Sequence, residues 1–234
     1  MTFIREDSEL YKVLKQATRE ELILLSKIIS EKISSEISDA CSDPYKIAKE
    51  LQEMGGNSFA NLCRGHGVSY KELAFDAAKK VGAKVKYSNT INEIEWALLE
   101  TLIKNAEEKM SREDKQKFYK EIEEKGFAKG FTFKDGLIPV LTYSPYSYML
   151  VIKFIFPYIL RSLGLETAAI FLGSRALTAS VPVIGWGLAA GSVLYTLAGT
   201  AYTVTIPCTA YIGGIRARLE AEKATQDITT EEWF

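Results

Sequence analysis

The sole histidine, His66, sits in Gly65-His66-Gly67, where an imidazole would titrate near neutral pH or bind a ligand. Cys63 is a possible Cys/His neighbour of His66, but an offset of three residues across a glycine turn does not oblige the two side chains to converge. Cys41 and Cys208 lie far away and no CxxC pair exists, so nothing here has the spacing of a zinc site. Gly55-Gly56-Asn57-Ser58 could offer backbone amides to an anion, yet it lacks the spacing and the lysine of a phosphate-binding loop and reads as an interhelical turn. The paired acids Glu93 and Glu95, and Glu107 and Glu108, fall among lysines and read as solvated helix faces. Lys79, Lys80, Lys84 and Lys86 form a basic cluster suited to phospholipid heads, diluted by Asp76. The expectation is therefore a protein that is not an enzyme, with no catalytic, cofactor or metal residues.

The elements that would position these groups are helical. Thr18-Arg-Glu-Glu21 has the pattern of a capping box, in which the hydroxyl accepts from the first turn and the glutamate reaches back, and it predicts a helix over Arg19 to Ile33. Asp43 and Pro44 supply an N-cap and a first helical residue for a stripe of Ile47, Ala48, Leu51 and Met54. Asn57 is placed to cap a short helix bearing Phe59 and Leu62. Ser69 to Glu72 and Thr90 to Glu93 repeat the capping pattern before helices ending near Val81 and running through Ile94, Leu98, Leu102 and Ile103. Ser111 caps one more, closed by Gly126. Only Ala83 to Tyr87 and Phe131 to Leu141 have β character, and neither alternates convincingly, so the predicted class is all-α, a multi-helix bundle.

Formal net charge is -1 with 25% charged residues, which leaves no basic field to draw nucleic acid. Three widely spaced cysteines fit reduced thiols in a cytoplasm, and the charged start of the chain, with Arg5, Glu6, Asp7 and Glu9, has no secretory pattern. The charge is uneven. Between Gly136 and Ile215 it is confined to Lys153, Arg161, Glu166 and Arg175. Composition thus divides the chain into an N-terminal helical module over 1–38, a charged helical bundle over 39–135, and an apolar helical region with a charged tail over 136–234.

Within the apolar region, Pro157 predicts a break in the aromatic-rich segment Tyr146 to Leu163. Tyr143, Tyr146, Tyr148, Phe154, Phe156 and Tyr158 would suit an interfacial belt or a packed core equally. Val183 to Ile206, between two prolines, has about 24 uncharged residues against the roughly 20 that a membrane span needs. The wider uncharged run, Ala176 to Ile215, is about 40 residues and could form a helical hairpin, with the physical logic of a colicin pore domain. Gly187 to Gly191, with Gly199 two turns on, would let another helix approach closely. The candidate membrane-inserting residues are Val183, Trp186, Gly187, Leu188, Gly191, Leu194, Leu197 and Gly199, and the candidate interfacial residues are Arg216 and Arg218, where charge returns. A helix apolar all round is equally the buried centre of a soluble bundle, and the two readings stand level.

The stretch Ile47-Ala-Lys-Glu-Leu-Gln-Glu-Met-Gly-Gly-Asn-Ser-Phe-Ala-Asn-Leu-Cys-Arg-Gly65, with Gly199 to Pro207 and the module from Asp7 through Leu25, resembles the YaaW-like family of uncharacterised bacterial proteins over nearly the whole chain. Some members of that family carry a ubiquinol-cytochrome c chaperone label, and the resemblance supplies no catalytic residues. The functional expectation is a membrane-interacting helical protein that inserts conditionally, or forms a pore, through its apolar hairpin; the alternative is a membrane-associated assembly factor or chaperone without catalytic activity. Its expected partners are membrane lipid, a membrane protein or further copies of the chain, and its place the cytoplasm, peripheral or conditional at the inner membrane.

Overall fold

The computed structural model of the chain describes residues 9–31, 37–55, 67–124, 145–162, 165 and 202–231. Among these the regular structure is helical: α1 (Glu9–Lys15), α2 (Arg19–Ser30), α3 (Pro44–Gly55), α4 (Tyr70–Lys80), α5 (Ile91–Lys109), α6 (Arg112–Glu124), α7 (Pro145–Phe154), α8 (Phe156–Ser162) and α9 (Tyr202–Glu231). The all-α class holds. The helix starts follow local chemistry. Thr18 Oγ1 accepts from the Glu21 amide at 3.2 Å while the Glu21 carboxylate accepts from the Thr18 amide at 2.8 Å, and Thr90 and Glu93 do the same at 3.3 and 2.8 Å. Asp43 Oδ1 accepts from the amide of Tyr45 at 2.9 Å, and Ser69 Oγ from that of Glu72 at 3.2 Å. The short helix expected after Asn57, the closing Gly126 and the segment Phe131 to Leu141 lie outside the described residues.

The end of α4 explains why Ala83 to Tyr87 makes no strand. Gly82, at φ 92°, lets the Ala83 amide reach back to the Ala78 carbonyl at 2.9 Å, a left-handed stop that a side chain would oppose. Beyond it Ala83 and Val85 are buried while Lys84 and Lys86 are exposed, so the alternation seats a loop on the core rather than pairing with a neighbour.

The α7–α8 break falls at Ile155. Proline has no amide hydrogen for the carbonyl four residues back, so Pro157 cannot continue the α7 ladder, and the chain restarts as α8. The other internal proline behaves differently. The sequence pattern bounds the apolar segment at Ile206 with Pro207, but α9 runs through that proline, and Tyr202 to Ile206 open a thirty-residue helix. Little more than one turn precedes the proline, so the helix gives up a single ladder bond there, and the burial of Val204, Ile206, Cys208 and Ala210 holds that turn in place.

α9 is the centre of the bundle, packed against α1, α2, α3, α4, α5 and α7. The core therefore draws together Leu10, Leu25, Ile47, Leu73, Ile94, Phe156 and Ile212, from all three compositional stretches. The C-terminal end of the uncharged run, Val204 to Ile215, is part of that core. No helix among the described residues is long and apolar enough to cross a membrane. Of the aromatic series, Tyr148, Phe156 and Tyr158 are core: Phe156 stacks on Tyr211 at 5.6 Å and Tyr158 meets Phe118 edge-on at 5.2 Å. Tyr146 is exposed, and Tyr143 lies outside the described residues.

Candidate functional site: a buried polar cluster beneath the central helix

Four helices bring polar side chains to one place in this apolar core. Tyr70 opens α4 directly after its Ser69 cap; Glu95 lies one turn inside α5; Tyr148 comes from α7 and Arg216 from the middle of α9. Tyr70 Oη donates to Glu95 Oε1 at 2.6 Å, and Arg216 Nε donates to Glu95 Oε2 at 3.1 Å, with Nη2 a long 3.5 Å from Oε1. The Tyr148 hydroxyl donates to the Ala210 carbonyl at 2.9 Å. Its approach requires Gly213, because a β-carbon there would run into the Tyr148 ring and hydroxyl; Gly214 likewise leaves room for Ile152. Two glycines inside a helix each cost about 1 kcal/mol relative to alanine, and here they let α7 lie close against α9.

The electrostatics follow from burial. Glu95 is 1% exposed, and loss of water pushes its carboxyl above the usual range, while Arg216 and the Tyr70 hydroxyl pull the other way. Burial and the neighbouring Glu95 charge raise the Tyr70 phenol well above its ordinary value. Burial opposes the charge on Arg216, but Glu95 and Tyr70 more than offset it, so the guanidinium stays charged. Beside the cluster, Asn92, Glu95, Tyr148, Gly213, Arg216 and Glu220 line a cavity of about 40 Å3. That is room for a few waters and too little for an organic substrate. Glu220 Oε1 accepts from Asn92 Nδ2 at 2.6 Å on its far side. The arrangement can hold a charge, exchange a proton and lock α9 to α4 and α5.

The reading of the paired acids needs correcting. Glu93 is a capping residue in solvent, its carboxyl held below the usual range by the Thr90 amide, but Glu95 is core. Glu107 is also buried and accepts from the Tyr119 hydroxyl at 2.6 Å, whereas Glu108 pairs with Lys104 in solvent. The signal was in the phase: Glu95 follows Ile91 by four residues and precedes Leu98 by three, which sets it within the apolar stripe. The basic cluster divides as well, since Lys80 lies over the Tyr202 ring at 4.9 Å, fastening the start of α9 to α4.

Of the residues expected to meet a membrane interface, Arg216 faces Glu95, and Arg218 forks onto Glu21 with Nε and Nη2 both at 2.8 Å, adding the Gln16 carbonyl at 3.3 Å and Glu222 at 2.6 Å. Both arginines thus fasten α9 to the bundle. Val183, Trp186, Gly187, Leu188, Gly191, Leu194, Leu197 and Gly199, together with His66, Cys63 and the Gly56 to Ser58 turn, lie outside the described residues. Cys208 is buried, which raises its thiol, and Cys41 is partly exposed. Among the described residues no three His, Cys, Asp or Glu side chains gather as a metal-binding group.

No family model matches the chain, and no solved structure matches it. Curated relatives do. The chain is 33% identical over 201 residues to a UPF0174 protein of Helicobacter pylori, covering 79% of this chain and 92% of that one. It is 31% identical over 178 residues to the UPF0174 protein YaaW of Escherichia coli, covering 75% of this chain and 71% of YaaW. A further Helicobacter pylori UPF0174 protein is 25% identical over 92% of both chains.

Proposed function

The chain belongs to the UPF0174 family, and we propose that it is a non-catalytic helical protein that meets the cytoplasmic face of a membrane conditionally, through its apolar segment. The observation that carries this reading is the path of α9. Its first half is buried in the bundle and its second half carries the charged tail, so the uncharged chain before it, Ala176 to Ala201, joins a charged helical body through a deeply anchored helix. That uncharged remainder is about 26 residues, still above the roughly 20 a span requires. Membrane contact then belongs to Val183 to Gly199, with α9 as the fixed stem and Arg216 and Arg218 as its fastenings rather than as headgroup ligands.

A second reading, an assembly factor or chaperone that holds a membrane protein, draws on a groove of about 500 Å3 between α2, α7 and α9, walled by Tyr146, Met149, Leu150, Tyr211 and Ile215. Vesicles separate the two. Purified protein added to anionic-lipid vesicles, with Ala190→Arg as the comparison, should release trapped dye or pellet with lipid, and the variant should do so less, because a charge at mid-span costs roughly 2.5 to 3.5 kcal/mol. Circular dichroism of both proteins in solution checks that the variant stays folded. Wild-type protein that neither releases dye nor pellets at neutral or acidic pH would overturn the membrane reading and leave the groove.

A further inference from the structure

Glu95 is 1% exposed and, among the described residues, accepts from two side chains, Tyr70 at 2.6 Å and Arg216 at 3.1 Å, with the second fork contact stretched to 3.5 Å. The groups that face it are Tyr70 from α4, Tyr148 from α7, and Arg216 and Glu220 from α9, with Asn92 on its own helix; Glu9 of α1 acts on Arg216 at longer range. One guanidinium and two carboxylates therefore border the same cavity. Glu220 lies four residues beyond Arg216 on α9, the spacing at which helical side chains meet.

We propose that Glu95 is a proton-binding switch of the folded protein: taking up a proton, it releases Arg216, which turns across the cavity to Glu220. The proton comes from solvent and adds to Oε2, the oxygen that Arg216 Nε leaves. Tyr70 keeps its hydrogen bond to Oε1, Arg216 stays cationic, and no covalent bond other than the new O–H changes. The tie between α9 and α5 is then replaced by a tie within α9. Burial, reinforced by the Glu220 charge, holds the Glu95 carboxyl above its ordinary value against the pull of Arg216 and Tyr70. The sign matters. A carboxyl raised in the folded state binds its proton more tightly there than in the unfolded chain, so its contribution to stability is fully present below the unfolded value and is lost as pH rises through the folded one. Mild acid therefore rearranges the cluster without unfolding the protein through Glu95, and the switch stands whether or not the apolar segment enters lipid.

The test is a titration of the full chain, labelled with carbon-13 at the glutamate carboxyls and followed by NMR. The Glu95 resonance is identified by its loss in Glu95→Gln, or by through-bond correlation in wild-type protein if that variant does not fold. The expected result is a midpoint above those of the exposed glutamates, with the amide spectrum still dispersed, and a midpoint moved to lower pH in Glu220→Gln, which removes the second carboxylate. A Glu95 resonance that titrates with or below the exposed glutamates would overturn the proposal, as would a midpoint that Glu220→Gln leaves in place.

Discussion

Arg216 and Arg218 are two residues apart on one helix, and each pairs with a glutamate of the N-terminal half, yet the two junctions differ in kind. Arg218 and Glu21 meet at the rim, 21% and 15% exposed, in a fork of two 2.8 Å contacts, with Glu222 and the Gln16 carbonyl completing the set. Arg216 and Glu95 meet inside, where Glu95 is 1% exposed and the contacts are longer. The rim pair keeps part of its water on both partners and holds the α1–α2 turn in register with α9. The inner pair has exchanged water for two partners, so its net contribution is small while the cost of breaking it is large. Identical residue types thus serve as a clamp in one place and as a charge-sensitive joint in the other.

The sharpest way to break this comparison is to remove each cation. Arg216→Met leaves Glu95 buried without its counter-charge and should lower the urea-measured stability at neutral pH by about 3–5 kcal/mol. The deficit should shrink as pH falls, because the unpaired Glu95 then takes a proton. A deficit no larger than that of Arg218→Met would remove the distinction between the junctions. Next in size is Gly213→Ala, which forces Tyr148 from its seat against α9 and should cost about 1–3 kcal/mol by overpacking. Trp96, whose ring lies 5.8 Å from that of Tyr148, reports the displacement as a change in fluorescence. Smallest is Arg218→Met, at about 1 kcal/mol or less. That loss should fade in molar salt, whereas the effect of Arg216→Met should persist, since screening reaches the rim and not the interior.

How much was legible beforehand varies along the chain. The capping pairs Thr18 and Glu21, and Thr90 and Glu93, and the end of α4 near Val81, could be read because a helix end is settled by hydrogen bonds among residues three or four apart. The family was legible too, through the stretch from Ile47 to Gly65. The candidate site was not: the local charge pattern places Glu95 on a solvated face and Arg216 at an interface, although the apolar stripe of α5 passes through position 95.

The amino-acid sequence by itself determined the all-α class, the starts of α2 through α6, the break at Pro157 and the gathering of charge outside Ala176 to Ile215. Each of these rests on interactions within a turn or two of chain, or on composition. Tertiary structure alone decided that α9 passes through Pro207 to become the centre of the bundle, and that Arg216 and Arg218 turn inward to Glu95 and Glu21. Those partners are 121 and 197 residues away in sequence. Local spacing carries no information about such a meeting; it is fixed by which apolar faces bury one another, and the charges follow where that burial takes them.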